Sequence, residues 1–280
     1  MNRSNDSFQT PDGITIQTVS WLPEHPPKGV ILLVHGLGEH SGRYAHVAQA
    51  LNRAGYAVYA VDHRGHGQSG GTRGHFSTIN QPVDDLEIYY HQIKALHGDT
   101  PFFVYGHSMG ALISLLFVQR HQNALAGWIS QGTPINTDTT QSALLIQIAK
   151  FLNKVIPKLR LVPLDTAGLS HDPAVIAAYK ADPLNHNGAH RVSILSSIIF
   201  GGQAARQNLQ NIRLPLLVLH GQDDSICPVS GSELLYQQAA STDKTLKIYA
   251  GLRHEIHNEK EQEQVFSDIV AWLDVRTKNE

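Results

Sequence analysis

One stretch of this 280-residue sequence constrains the fold more than any other, because it joins an apolar strand to a helix through a turn with a serine at its apex. The run GHSMG at 106–110 directly follows the apolar residues 102–105 and directly precedes a largely apolar stretch of helical length. Such a turn leaves no room for side chains beside the serine, which explains Gly106 and Gly110. The pattern predicts that Ser108 is an exposed nucleophile; the alternative is a serine that only caps the helix.

The rest of the chain alternates between strand and helix patterns, which predicts an α/β protein with a mostly parallel central sheet and helices on both faces. Apolar runs of strand length lie at 15–21, 30–34, 56–61, 102–105, 127–130, 216–219 and 245–249. Helical patterns lie at 44–53, 83–96, 109–121, 232–240 and 260–275.

This alternation stops after residue 133, and no strand is predicted again before about residue 210. Five prolines punctuate the region, and amphipathic patterns at 143–155 and 175–180 favour helices. We therefore expect an inserted helical lid that covers the serine. The predicted division is residues 1–133 and 211–280 for the core and 134–210 for the lid.

Charge and cysteine content exclude several classes of protein. The formal net charge is −2 and no extended run of Lys or Arg occurs, so nucleic acid is not an expected partner. We find neither a signal-peptide pattern nor the run of about 18 apolar residues that a membrane span needs. The single cysteine, Cys227, excludes an internal disulfide and is typical of a reducing compartment, so we expect a cytoplasmic protein.

A serine hydroxyl is a weak nucleophile, so it needs a base that is itself oriented by an acid. In a parallel sheet these groups are expected in loops that follow strands, in the chain order serine, acid, histidine. The strand at 216–219 is followed by Asp223 and Asp224. Asp224 is the predicted acid, because a short turn after Gly221 aims it inward, whereas Asp223 is expected to face solvent.

The strand at 245–249 supplies the base. His254 is the first histidine after this strand and is the predicted base, and His257 follows within one helical turn. The backbone N–H groups of Met109 and Leu37 are the predicted donors to the oxyanion, since one follows the nucleophile and the other lies in a glycine-rich loop after the strand at 30–34. No motif demands a cofactor or a metal, so we expect neither.

With these residues in place, the chain resembles the α/β-hydrolase family, and within it the monoacylglycerol lipase and lysophospholipase group. The resemblance covers about residues 13–272 and agrees with a triad of Ser108, Asp224 and His254. The motifs that carry it, besides GHSMG, are HGLGEHSGRY at 35–44, DHRGHGQS at 62–69, YKADPL at 179–184, TLKIY at 245–249 and HEIHNE at 254–259.

The resemblance further implies a pocket for the glycerol head group, formed by Glu39, Arg43, Tyr179 and His257. Such side chains can hydrogen-bond vicinal hydroxyls, which apolar walls cannot. The alternative for Glu39 and Arg43 is a structural salt bridge. The expected reaction is hydrolysis of monoacylglycerols to fatty acid and glycerol through an acyl-serine. Lysophospholipase or broad carboxylesterase activity is the alternative, and a ligand-binding receptor on the same fold is the non-enzymatic one.

The expected partner is a small lipid ester, and the lid is expected to contact a lipid interface peripherally. Residues 134–200 carry six Lys or Arg against four Asp, interleaved with apolar residues. The alternative is that this apolar stripe packs on the core. Cys227 follows Asp224 by three residues, so its thiol is expected either near the site or buried and inert.

Overall fold

The computed structural model describes residues 2–135, 151–163 and 165–277. The strands are β1 (Asn2–Gln9), β2 (Thr15–Leu22), β3 (Gly29–Val34), β4 (Tyr56–Val61), β5 (Phe102–His107), β6 (Gly127–Gln131), β7 (Arg160–Pro163), β8 (Ala189–Arg191), β9 (Leu216–Gly221) and β10 (Lys244–Tyr249). The centre of the protein is an eight-stranded sheet with the order β1-β2-β4-β3-β5-β6-β9-β10. The β1–β2 and β2–β4 pairs are antiparallel and the other five pairs are parallel.

Helices cover both faces of this sheet, as the sequence predicts. The helices are α1 (Ala45–Arg53), α2 (Asn80–His97), α3 (Met109–His121), α4 (Pro173–Ala181), α5 (Val192–Arg206), α6 (Val229–Gln238) and α7 (Gln262–Val275). Side chains of β3 alternate between two apolar clusters: Val30 and Leu32 pack with α2 and α3, and Ile31 and Leu33 pack with α1 and α7. Every residue of β3 is buried, because a strand in the middle of a two-sided sheet has no solvent face.

All seven predicted strands are present, whereas β1 was not predicted. Seven of its eight residues are polar, and most of them are exposed. The strand exists because its backbone pairs with β2 along its whole length, from Asn2 opposite Leu22 to Gln9 opposite Thr15. An edge strand of this kind needs no apolar alternation, so it leaves no periodic signal.

The segment between β6 and β9 contains α4, α5 and a small antiparallel sheet of β7 and β8. The prediction that this region lacks strands is therefore wrong. The two strands are only four and three residues long and their pairing is irregular, so neither shows a recognisable pattern. The helix predicted at 175–180 lies within α4, and most of the one predicted at 143–155 lies outside the described residues, although 151–155 are helical. The boundaries of a lid at 134 and 210 stay a prediction.

Candidate active site

Ser108 lies at the apex of a strained turn between β5 and α3. Its φ of 56° and ψ of −124° make it the one described non-glycine residue with a positive φ. A Cβ on Gly106 would come within 2.3 Å of Ser114 Oγ, and one on Gly110 within 2.1 Å of the Val34 carbonyl oxygen. The turn therefore requires both glycines, and its tightness projects the Ser108 side chain out of the sheet.

The loops after β9 and β10 bring Asp224 and His254 together. His254 Nδ1 donates to Asp224 Oδ2 at 2.7 Å, and the Asp224 side chain is completely buried. The other carboxylate oxygen, Oδ1, accepts the backbone N–H groups of Ile226 and Cys227 at 2.8 and 2.9 Å. Asp223 is exposed instead, so the structure places the two acids as the sequence predicts.

The charges of this pair reinforce each other. Burial alone would raise the pKa of Asp224, but His254 and His220 outweigh it and hold that pKa well below its usual range. Burial would lower the pKa of His254, but the Asp224 carboxylate outweighs it and raises that pKa above the ordinary histidine value. An ionised carboxylate therefore faces a basic imidazole, which is the arrangement that general-base chemistry uses.

A cavity of about 400 Å³ opens beside these residues. Ser108 and His254 line it, together with Leu37 and Met109. Neither backbone N–H of Leu37 or Met109 donates to an acceptor in the described part of the chain, so both are free to bind an oxygen in the cavity. The apolar walls include Leu169, Leu195, Ile198, Ile199 and Ile226.

A buried ion-pair cluster borders the cavity. Glu39 lines the cavity, and its Oε1 accepts the Gly36 N–H and the Tyr44 hydroxyl, both at 2.7 Å. Its Oε2 accepts Arg43 Nη1, while Arg43 also donates to both carboxylate oxygens of Glu255 at 2.6 and 2.7 Å. The structural salt bridge considered for Glu39 and Arg43 therefore exists, although Glu39 faces the cavity at the same time.

The remaining predicted head-group residues differ in position. Tyr179 lines the cavity, but its hydroxyl donates to the Gly38 carbonyl at 2.9 Å. His257 is completely buried, with its ring stacked 4.9 Å from that of Tyr44 and its Nδ1 2.9 Å from Gln131 Nε2. Among the described residues, the lining includes neither His257 nor Arg43. Packing against Tyr44 turns the His257 ring into the core, and a head-group contact for His257 stays a prediction.

Two further side chains at the site were given no role from the sequence. Glu255 pairs with Arg43 and lines the cavity, and its position directly after His254 is the signal that could have drawn attention to it. His220 is completely buried, and its Nε2 lies 3.1 Å from Asp224 Oδ2. It directly precedes Gly221 at the end of β9, but nothing local indicates where its ring points.

Cys227 lies at the site, which the sequence left open. It lines the cavity together with Ser108. Burial, together with the Asp224 charge, raises the pKa of this thiol well above its usual range. The thiol is therefore close to the nucleophile and poorly reactive at neutral pH.

Comparison with known proteins places the chain in a family. Residues 25–261 match the family model described as serine aminopeptidase S33. The chain belongs to this family of α/β-hydrolases. A monoacylglycerol lipase of Mycolicibacterium smegmatis is 41% identical over 97% of this chain and 97% of its own, and human monoglyceride lipase is 34% identical over 92% and 86%.

Solved structures of family members agree with this assignment. A Saccharomyces cerevisiae monoglyceride lipase in complex with a substrate analog has a TM-score of 0.87 at 28% identity, covering 100% of this chain and 97% of that one. A Paleococcus ferrophilus monoacylglycerol lipase has a TM-score of 0.81 at 30% identity, covering 99% and 100%. The α/β-hydrolase fold and the family resemblance inferred from the sequence are confirmed.

Proposed function

We propose that this protein hydrolyses monoacylglycerols to free fatty acid and glycerol through an acyl-serine intermediate. The observation that carries the proposal is that the strained Ser108 and the His254 of the Asp224–His254 pair line the same apolar cavity. The relatives named monoacylglycerol lipase support the same substrate class.

In the proposed mechanism Ser108 attacks the ester carbonyl while His254 takes its proton. Asp224 holds the imidazole in the tautomer with a proton on Nδ1, so that Nε2 can accept. The N–H groups of Leu37 and Met109 bind the oxyanion, and each such donor typically contributes about 3 kcal/mol to transition-state stabilisation. His254 then protonates the leaving glycerol oxygen, and water activated by the same imidazole releases the fatty acid.

The cavity suits an acyl chain. Its walls are aliphatic side chains from the segment between β6 and β9 and from the loop after β9. Burying an alkyl chain there would stabilise the complex by about 0.8 kcal/mol for each methylene. The substrate therefore gains most of its affinity from its acyl chain, and the polar side chains of the cavity determine which head groups are accepted.

The carboxylates that line the cavity favour an uncharged head group. Glu39 and Glu255 both line the cavity, whereas Arg43, which pairs with both carboxylates, is not among the described lining residues. Burial opposes ionisation of Glu39, but Arg43 and His107 outweigh it and hold the pKa of this carboxyl well below its usual range. A phosphate at this position would be repelled, which supports a monoacylglycerol over a lysophospholipid.

The test compares hydrolysis of a 1-monoacylglycerol with that of the lysophosphatidylcholine bearing the same acyl chain, for the wild type and for Ser108→Ala. We expect preference for the monoacylglycerol and loss of turnover in Ser108→Ala. Equal or better turnover of the lysophospholipid would favour a lysophospholipase. Cleavage of an aminoacyl amide in preference to both would favour the peptidase activity for which the family model is named. Binding without turnover would favour a receptor.

We also propose that the segment before and within β7 contacts a lipid interface. No helix in the described ranges is long and apolar enough to cross a membrane. Residues 151–161 nevertheless carry basic side chains among apolar ones that are 42–65% exposed, which is typical of a surface that enters the headgroup region. The apolar residues are Phe151, Val155, Ile156, Leu159 and Leu161.

Co-sedimentation with anionic vesicles tests this contact. We expect Phe151→Ser combined with Leu159→Ser to reduce vesicle binding. Leu96→Ser is the matched control, because Leu96 is 74% exposed on α2 and lies outside this segment. Equal binding of the double variant and the wild type, or no binding by the wild type, would refute the contact.

A further inference from the structure

We propose that His220 is a positioning residue for the triad: it shares one carboxylate oxygen of Asp224 with His254 and thereby moderates the hydrogen bond between Asp224 and His254. This inference rests on the proposed function, in which Asp224 orients His254. His220 is given no role in the chemistry described above, although it is the second imidazole on the same carboxylate.

Both imidazole rings contact the same carboxylate oxygen of Asp224. His254 Nδ1 lies 2.7 Å and His220 Nε2 lies 3.1 Å from Asp224 Oδ2. The other oxygen, Oδ1, is occupied by two backbone N–H groups, so the carboxylate cannot rotate to offer a second site. The His220 and Asp224 side chains are both completely buried, and therefore no solvent screens the interaction.

The partners of His220 determine which nitrogen carries the proton. Its Nε2 lies 3.0 Å from the Cys227 carbonyl oxygen, which can only accept, so Nε2 carries its one hydrogen and donates it to Cys227, while Asp224 Oδ2 lies 3.1 Å from the same nitrogen. Its Nδ1 lies 2.7 Å from Ser232 Oγ, and the buried Ser232 hydroxyl donates to it. The Ser232 hydroxyl therefore fixes the His220 tautomer that keeps the Nε2 hydrogen beside the carboxylate.

Sharing the oxygen has a defined consequence. The polarised N–H of His220, whose nitrogen lies 3.1 Å from Oδ2, stabilises negative charge on the atom that accepts from His254, so removing it strengthens the remaining hydrogen bond. The imidazolium form of His254 is then favoured more strongly, and a lower proton concentration is needed to free the base. The other titratable side chains that face this pair from neighbouring elements are His107, Cys227, Glu39 and Glu255.

Replacement of His220 by Met and by Gln distinguishes the effect of the N–H group from the effect of the side-chain volume. His220→Met keeps the size of the side chain and removes the N–H, whereas His220→Gln keeps an N–H near the position of Nε2. For Met we expect the acid limb of the kcat/KM profile to move up by about 0.5 to 1 pH unit with KM unchanged. We also expect the low-field proton resonance of the His254 Nδ1–H to move further downfield, and Gln to restore both quantities.

Ser232→Ala provides a milder variant in case His220→Met does not fold. Without the Ser232 hydroxyl, Nδ1 of His220 is no longer held as an acceptor, the other tautomer becomes accessible, and the acid limb is expected to move in the same direction. Ser193→Ala is the matched control, because it breaks a buried serine–histidine hydrogen bond of 2.6 Å to His75, away from the triad. Its pH profile is expected to match the wild type.

An acid limb and a low-field resonance that stay unchanged, or that move the opposite way, would overturn the proposal; so would a Gln variant that behaves like Met. The resonance is read without substrate. The wild type could fail to hydrolyse monoacylglycerols while the low-field resonance of His220→Met still differs from that of the wild type. This pair of results would refute the proposed function and leave the positioning role standing.

Discussion

Ser108 stores conformational strain at the point where the proposed chemistry takes place. A non-glycine residue held in a sparsely populated region of positive φ costs about 1–3 kcal/mol. The strain is maintained by the packing of β5 and α3 around Gly106 and Gly110, whose missing side chains let the backbone approach so closely. The nucleophile is thus held at the cavity at the expense of local stability.

This strain predicts a difference in stability between two inactive variants. We expect Ser108→Gly to be about 1 kcal/mol more stable than Ser108→Ala, because glycine adopts the same φ without the steric penalty. Both variants are expected to lack turnover. Urea unfolding of the two variants measures the difference, and a Ser108→Ala protein at least as stable as Ser108→Gly would contradict it.

Cys227 predicts slow, site-directed inactivation. The thiol is buried and its pKa is raised well above the ordinary value, so a maleimide should react slowly at pH 7 and faster as the pH rises towards 9. Once attached, a bulky group fills the cavity beside Ser108, and activity should fall in step with labelling. Cys227→Ser should stay active and resist the reagent; inactivation of this variant at the wild-type rate would locate the reactive group elsewhere.

At the scale of elements, the close contact between α3 and the end of β3 fixes the position of the turn that carries Ser108. A methyl group at Gly110 would overlap the Val34 carbonyl oxygen at 2.1 Å and that of His35 at 2.5 Å, and backbone atoms of a buried strand cannot yield. We therefore expect Gly110→Ala to destabilise the protein by about 3 kcal/mol or more, beyond ordinary overpacking, and to disturb the oxyanion loop.

Gly188→Ala is the matched control for this change. The nearest atom to a Cβ at Gly188 is 3.7 Å away, and its φ is not in the left-handed region, so the free energy of unfolding should change by less than about 0.5 kcal/mol. Urea unfolding of both variants tests the expectation. Equal stabilities would show that β3 moves to accept the methyl group.

The elements that the sequence predicts are those whose pattern is local. Strands such as β3 are buried on both faces, so a continuous apolar run identifies them. The strands β1, β7 and β8 depend on backbone pairing with a partner elsewhere in the chain, and the helix Val192–Arg206 gives no distinct amphipathic signal; none of these was predicted.

The same distinction applies to the site. The loops that carry Asp224 and His254 were predictable because the chain order of post-strand loops determines which loops meet at one sheet edge. The directions of His257 and His220 were not, because they depend on packing against Tyr44 and Ser232, which are distant in sequence. Glu255 was missed for the same reason, since its role comes from pairing with Arg43.

At the scale of the whole molecule, buried histidines link stability to pH. Burial lowers the pKa of His35 to about 3 and, with smaller contributions from neighbouring charges, the pKa values of His66 and His190 to about 4. The unfolded chain binds protons at these residues near the ordinary histidine pKa of about 6.5. Between these values the unfolded state holds more protons, so stability rises with pH and is lost on acidification from pH 7 towards pH 4.

His190 offers the clearest test of this linkage. It is 2% exposed, and neither ring nitrogen has a hydrogen-bond partner among the described residues, so an apolar replacement removes no hydrogen bond. With a folded pKa of about 4, this one residue should account for about 2 kcal/mol of the stability lost between pH 7 and pH 5. We expect His190→Leu to reduce that loss by about this amount, as measured by urea unfolding at both pH values.

The comparison variant is His25→Leu, which removes one histidine from the exposed surface and keeps the pH dependence of the wild type. Because each variant is compared with itself at two pH values, any change that the leucine makes in packing cancels in the difference. A His190→Leu protein that loses as much stability as the wild type would show that His190 gains a proton without unfolding. The acid sensitivity of the fold would then have to come from His35, His66 and the remaining buried groups.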